Sequence, residues 1–103
     1  MSISEIIETL GEGENETEIC ATAEARYDSS TQKVSVTLDS FARCVFPTGD
    51  HDPKREPWLP TPECVTEHLP ADETQAFTHD VFQSWVKKVR GTIPRQAPLG
   101  TNL

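Results

Sequence analysis

Hydrophobic residues recur with helical spacing over residues 72–90, DETQAFTHDVFQSWVKKVR. At about 100° per residue they cover roughly half of a helix surface. The apolar positions are Phe77, Val81, Phe82, Trp85, Val86 and Val89. Asp72 and Gln75 have the spacing of a capping box, and Gly91 stands where a helix commonly stops. The pattern predicts a long C-terminal helix that supplies much of the core.

A second helical pattern lies at the start of the chain, in Ser2–Leu10. Its apolar residues are Ile3, Ile6, Ile7 and Leu10, spaced i, i+3, i+4 and i+7 on one helix face. Gly11 follows as a stop signal. The spacing predicts a short N-terminal helix. Because so short a helix is marginal alone, we expect it to dock on a sheet or on a second copy of the chain.

The segments between the two predicted helices alternate as strands do. Residues 18–27 and 33–39 each alternate in polarity around the turn-forming sequence of residues 28–32, which predicts a hairpin. Residues 41–46, FARCVF, predict a third strand after a short turn at residues 39–40. The first strand offers alanines on one face, so the large side chains of the long helix are expected to pack over it. The polar face of the hairpin is a candidate binding surface, with members Glu18, Thr22, Glu24, Arg26, Lys33, Ser35 and Thr37.

Most of the chain's eight prolines fall in residues 47–70, which predicts a long proline-rich loop. Within it, Pro62 has the position of a first helical residue in a turn that runs to His68. The predicted fold class is therefore α+β: a short N-terminal helix, a three-stranded antiparallel meander, a long proline-rich loop and a long C-terminal helix packed on the sheet. We expect one domain over residues 1–93 and a flexible tail over residues 94–103.

The composition restricts the function classes. The formal net charge of the 103 residues is −8, which disfavours nucleic-acid binding because phosphate backbones require a basic face. No apolar run is long enough to span a membrane, and the N-terminal residues lack the pattern of a signal peptide. Three scattered cysteines are unlike a disulfide framework. These features predict a cytoplasmic acidic protein with reduced thiols, whose partner is another protein, basic in character.

One segment of the proline-rich loop is a candidate partner-binding site. Trp58 and Leu59 lie between prolines and follow the basic pair Lys54 and Arg55. An aromatic side chain on a stiff segment can bind with a small ordering cost, as interface anchors do. The alternative interpretation is that Trp58 and Leu59 pack back onto the core and close the loop.

Two further interpretations depend on cysteine and histidine. Cys64 and His68 would share a face of a helical turn, and Cys44, His51 and His79 could join them in a metal site. Alternatively, Cys64 with His68, or Cys44 with His51, could form a catalytic dyad. Neither pair lies in a recognisable signature, and no phosphate or dinucleotide motif is present in the sequence. The sequence therefore predicts no cofactor.

These observations favour a small, acidic, non-enzymatic protein-interaction module: an adaptor, an inhibitor or a regulatory subunit. The alternatives are a small metal-binding protein and a cysteine-dependent enzyme. Apolar surface on both predicted helices exceeds what a three-stranded sheet can cover, which predicts a homodimer.

Overall fold

The computed structural model describes residues 1–11, 16–44 and 55–94, and it forms one antiparallel sheet with a single long helix on one face. The strands are β1 (Ser2–Leu10), β2 (Thr17–Asp28), β3 (Lys33–Cys44), β4 (Arg55–Pro57) and β5 (Glu63–His68). A 3₁₀ turn, Ala71–Glu73, leads into the helix α1, Thr74–Thr92. Sheet and helix together make the chain an α+β protein.

The central strand of the sheet is β3, and each of its neighbours runs antiparallel to it. On one side it pairs along its whole length with β2, which in turn pairs with β1. On the other side β5 pairs with the first half of β3 and β4 with its last residues. Among the described strands β1 therefore forms one edge of the sheet, while β4 and β5 share the other.

The core lies between the sheet and α1. Alternate residues of β2 and β3 point to the helix. They pack in one core with four residues of α1: Phe82, Trp85, Val86 and Val89. The buried strand residues are Ile19, Ala21, Ala23, Val34, Val36 and Leu38. Small alanines on β2 leave room for Trp85, which is 2% exposed and donates an Nε1–H bond of 2.9 Å to the Asp39 carbonyl oxygen. The predicted packing of large helix residues on small strand residues is present.

The predicted N-terminal helix is wrong, because residues 2–10 form the edge strand β1. Its register against β2 shifts between Ile6 and Glu8, as a β-bulge requires. The extra residue, Ile7, allows Ile3, Ile7 and Leu10 all to pack half-buried against the core. A bulged strand thus reproduces the apolar spacing that we assigned to a helix.

The predicted three-stranded meander is also wrong, because the described residues form a sheet of five strands. No turn separates residues 33–39 from 41–44: β3 passes straight through Asp39 and Ser40. Ser40 is 1% exposed, yet its hydroxyl donates a bond of 3.2 Å to the Trp58 carbonyl oxygen. The hydroxyl of Ser40, a residue type that often marks a turn, therefore has a hydrogen-bond partner inside the sheet.

The proline-rich region contributes two of the strands. Residues 55–57 and 63–68 pair with β3, so the helical turn predicted up to His68 is wrong. Val65 lies opposite Val36, and this cross-strand apolar pair fixes the register. Residues 47–54 of the predicted loop lie outside the described residues, as do Val45 and Phe46.

The long C-terminal helix is present, but its ends differ from the prediction. It begins at Thr74, after the 3₁₀ turn, and Asp72 provides no side-chain cap. The Thr74 hydroxyl instead donates a bond of 2.8 Å to the Ala71 carbonyl oxygen. The helix continues through Gly91 to Thr92, so Gly91 is not the stop. The tail beyond Pro94 lies outside the described residues.

Within the part of the chain that the structure describes, no helix has the length and apolar character that crossing a bilayer requires.

Candidate functional site

One face of the sheet lies against α1, and the other face, which we call the open face, carries no helix among the described residues. Its side chains alternate with the core residues along β1, β2 and β3. The open face consists chiefly of Ser4, Ile6, Cys20, Thr22, Glu24, Arg26, Ser35, Thr37, Asp39, Phe41, Arg43 and Arg55. The polar hairpin surface predicted from the sequence lies on it.

A concavity of about 580 Å³ lies at one end of the open face. Its lining includes Ser4, Ile6, Cys20, Thr22, Phe41 and Arg55. Ile6 is 50% exposed, and Phe41 is half-buried. Apolar side chains, hydroxyl groups and a guanidinium group therefore meet in one accessible hollow, whose lining also includes Glu5 and Arg43.

The most unusual contact in this hollow joins Arg55 to Phe41. The Arg55 guanidinium carbon lies 4.6 Å from the centre of the Phe41 ring, which is a cation–π arrangement. The contact favours one position of the guanidinium over the ring, and Arg55 as a residue remains exposed to solvent. Among the described residues Arg55 forms no ion pair. Arg55 is thus a positioned cation with donors to offer.

A second arginine lies directly across the strand pair. Arg43 is the register partner of Arg55, and like charges at such positions repel each other. Glu18 offsets this repulsion, because its Oε1 accepts bonds of 3.1 and 2.7 Å from Nε and Nη2 of Arg43. Both side chains of this ion pair are largely shielded, at 28% and 18% exposure. Arg43 of this pair lines the concavity beside Arg55, and Glu18 has its ion pair with Arg43 rather than with Arg55.

Charge is balanced on the open face but not on the rest of the molecule. The register places equal numbers of acidic and basic residues there: Glu18, Glu24, Asp28 and Asp39 with Arg26, Lys33, Arg43 and Arg55. The acidic excess of the described residues therefore lies at the sheet edges and on the helix side. Glu5 and Glu8 on β1 and Glu63 and Glu67 on β5 belong to it.

Cys20 forms the floor of the concavity. It is 3% exposed, and burial raises the pKa of its thiol; Arg43 opposes that shift, Glu18 adds to it, and Arg55 opposes it. A raised pKa keeps the sulfur protonated near neutral pH, which is unfavourable for a nucleophile or a metal ligand. Cys20 therefore acts as a small apolar side chain here.

The predicted partner-binding residues do not form one patch. Lys54 lies outside the described residues, and Arg55 lies on the open face. Trp58 turns to the helix side, is half-buried, and donates an Nε1–H bond of 3.0 Å to the Thr92 hydroxyl. Leu59 is 67% exposed. This geometry gives Trp58 a role in holding the β4–β5 connection to the end of α1, and its role in partner binding stays a prediction.

The predicted metal pair, Cys64 and His68, lies on β5 rather than on a helical turn. Four residues along a strand span about 13 Å, so the two side chains share a face but cannot reach one ion or one proton. No cluster of three or more potential metal ligands occurs in the described ranges. His51, the partner considered for Cys44, lies outside them.

Sequence reasoning did not select Ile6, Phe41 and Arg43. Residues 41–46 carry apolar groups on both faces, so the side of the sheet to which Phe41 belongs depended on the register with β2. The alternation of β2 was the available signal, since it made Cys20 a member of the polar face.

Comparison with protein-family models, with curated proteins and with solved structures finds no match.

Proposed function

We propose that this protein is a non-enzymatic protein-interaction module, an adaptor, inhibitor or regulatory subunit, that binds a protein partner on the open face of its sheet. The observation that carries the proposal is the concavity on that face, where Ile6 and Phe41 stay accessible and Arg55 is held on the Phe41 ring. Arginine and aromatic residues are enriched among the side chains that dominate binding at protein interfaces.

The composition of the concavity suits a protein surface better than a small molecule. It is only partly enclosed, and apolar groups alternate with hydroxyl groups and a guanidinium across several strands. Protein interfaces combine an apolar centre with a polar rim in this way. Arg55 would donate hydrogen bonds to carboxylate or carbonyl oxygens of the partner, while Ile6 and Phe41 lose apolar area to water.

The partner that we propose is basic overall. The net charge of −8 attracts a cationic protein over long distances, and among the described residues the acidic excess lies around the open face rather than on it. Long-range attraction would therefore speed the encounter, while contact occurs on a surface of balanced charge. Such a complex forms more slowly at high salt, with a smaller effect on its dissociation rate.

We also propose that the chain forms a homodimer, as the surplus of apolar surface suggests. Ile6 is 50% exposed on the edge strand, and Phe77 and Val81 are only half-buried on α1. A symmetric dimer is the commonest way in which such surfaces become covered.

The proposed binding function is tested by affinity capture from the native host at low salt with three baits. These are the wild type, Arg55→Glu, and the charge-matched control Lys87→Glu on the exposed side of α1. Arg55 and Lys87 are both exposed, so neither change removes core packing. Melting curves of the three baits confirm equal folding.

The expected result is a discrete set of proteins held by the wild type and by Lys87→Glu but lost with Arg55→Glu. Two outcomes contradict the proposal: the wild type retains no protein above the bare matrix, or Arg55→Glu retains the same proteins in the same amounts.

A further inference from the structure

Among the described residues no strand pairs with the outer edge of β1, which offers its backbone groups in a regular row. The Met1 nitrogen lies 3.2 Å from the Ala25 carbonyl oxygen, and the Met1 carbonyl oxygen accepts a bond of 2.8 Å from the Ala25 N–H. Hydrogen-bonded and non-hydrogen-bonded residue pairs alternate along antiparallel strands. The backbone groups of Ile3 and Glu5, like those of Met1, therefore bond to β2. The N–H and C=O groups of Ser2, Ser4 and Ile6 therefore point away from the sheet.

The first half of this edge, Ser2–Ile6, has few of the features that normally prevent strand pairing. Proteins protect sheet edges with lysine, proline, very short strands or bulges. β1 is nine residues long and contains no lysine or proline. Its bulge lies after Ile6, which leaves Ser2–Ile6 as a regular stretch. That stretch carries a single charge, Glu5.

We propose that β1 pairs with β1 of a second copy of this chain, antiparallel, about a twofold axis at Ser4. In this register the two Ser4 residues are opposite each other, and Ser2 of each copy is opposite Ile6 of the other. All three outward-pointing residues of each copy then exchange backbone hydrogen bonds, and the two sheets become one continuous sheet. The inference rests on the proposed homodimer and identifies its interface.

The neighbouring twofold registers fit less well. An axis at Glu5 places two carboxylates directly opposite each other, which destabilises a strand pair. An axis at Ile3 leaves Ile6 without a partner, so fewer of the outward groups are used. With the axis at Ser4, Glu5 of one copy lies opposite Ile3 of the other, and no like charges face each other. The edge is therefore self-complementary, which favours a second copy over an unrelated strand as its occupant.

Pairing at this edge would also enlarge the candidate site. Ser4 and Ile6 line the concavity on the open face, and Ile6 forms part of its rim beside the edge. In the proposed dimer Ser2 of the second copy lies beside Ile6, so the two concavities become neighbours across the twofold axis. The two α1 helices lie together on the opposite side of the continuous sheet.

The register is tested by disulfide cross-linking in the full chain. Cys20→Ala, Cys44→Ser and Cys64→Ser are combined to remove the native thiols, and Ser4→Cys, Ser2→Cys and Ile6→Cys are then introduced one at a time. Residues at opposed positions are close enough for a disulfide, whereas the two Ser2 residues are not, because each lies four residues along the strand from the position opposite the other. Melting curves establish that each variant is folded.

The expected result has two parts. Ser4→Cys alone becomes covalently dimeric under mild oxidation, whereas Ser2→Cys and Ile6→Cys do so only when mixed with each other. The wild-type mass measured by light scattering rises from 11.5 kDa toward twice that value between micromolar and millimolar concentration.

Two different results would overturn the inference. A mass that stays at 11.5 kDa up to millimolar concentration removes the homodimer itself, without bearing on partner binding at the open face. If the wild type dimerises but Ser4→Cys does not cross-link more than Ser2→Cys or Ile6→Cys alone, the dimer stands and the β1 interface is wrong.

Discussion

Replacement of Trp85 is the sharpest test of how the helix meets the sheet. Trp85 is 2% exposed in the middle of the contact between α1 and the alanine-rich strand β2. Trp85→Ala removes the indole and leaves a cavity that the neighbouring strands cannot close, because backbone hydrogen bonds hold them in place. Such substitutions cost about 3–5 kcal/mol. For a chain of 103 residues the total stability is on the order of 5–15 kcal/mol, so the loss approaches global unfolding.

A second variant separates packing from hydrogen bonding. Trp85→Phe keeps most of the ring area but removes the Nε1–H donor, and the Asp39 carbonyl oxygen loses a bond of 2.9 Å. We expect a cost of about 1–3 kcal/mol for that variant, since a buried acceptor is left unpaired. The exposed neighbour Ser84 supplies the control, Ser84→Ala, with a change of about 0.5 kcal/mol or less.

Urea unfolding followed by far-ultraviolet circular dichroism measures all three variants without depending on tryptophan fluorescence. The expected order of stability is wild type, nearly equal to Ser84→Ala, then Trp85→Phe, then Trp85→Ala. A loss below about 1 kcal/mol for Trp85→Ala would refute the packing of α1 on β2, because an indole in that contact cannot be removed so cheaply.

Three further predictions concern side chains near the concavity and the end of α1. Trp58→Phe should lower the free energy of unfolding by about 0.5–1.5 kcal/mol in urea, since it removes the hydrogen bond to Thr92. The double variant with Thr92→Val should cost less than the sum of the two single variants, and additive costs would contradict this contact. Glu18→Gln should cost about 1 kcal/mol in wild type but little in an Arg43→Met background, and equal costs in both would contradict their coupling. Burial raises the pKa of Cys20, so its thiol stays protonated to a higher pH in the folded state than in the unfolded state. Stability should therefore fall as pH rises above about 8.5, and Cys20→Ala should lessen that fall.

The parts of the fold predicted from the sequence are those in which local pattern and tertiary packing agree. The hairpin of β2 and β3 has strict alternation on both sides of a turn-forming sequence. Within that turn the Ser30 hydroxyl donates a bond of 2.6 Å to a carboxylate oxygen of Asp28. The helix around Trp85 has a broad apolar arc and no competing interpretation. In both segments one periodicity fits and the others do not.

The helix prediction for the N-terminal segment failed because the same apolar spacing fits a helix and a bulged strand. Ile3, Ile7 and Leu10 lie on one side of an ideal helix, and a strand with one bulge also brings them to the core. Pairing with β2 decides between the two, and this long-range contact leaves no local mark on the sequence. β-Branched isoleucines favour the strand only weakly.

The predictions for the β5 segment and for the end of β3 failed for a related reason. Pro62 and the polar residues around it have the local preferences of a helical start, yet residues 63–68 are held by hydrogen bonds to β3. Ser40 has the preference of a turn, but its hydroxyl finds an acceptor within the sheet. For the same reason the candidate site could not be predicted. Phe41 and Arg55 are brought together by the pairing of β3 with β4, which the sequence did not reveal.

The claim that the open face is the binding surface is tested most directly by an amide chemical-shift map. Isotope-labelled protein is titrated with the purified protein that the wild-type bait retains. We expect the largest shifts to cluster at Ile6, Phe41 and Arg55, with little change at Gln83 and Lys87 on the exposed side of α1. Shifts centred on α1, with the open face unchanged, would contradict it.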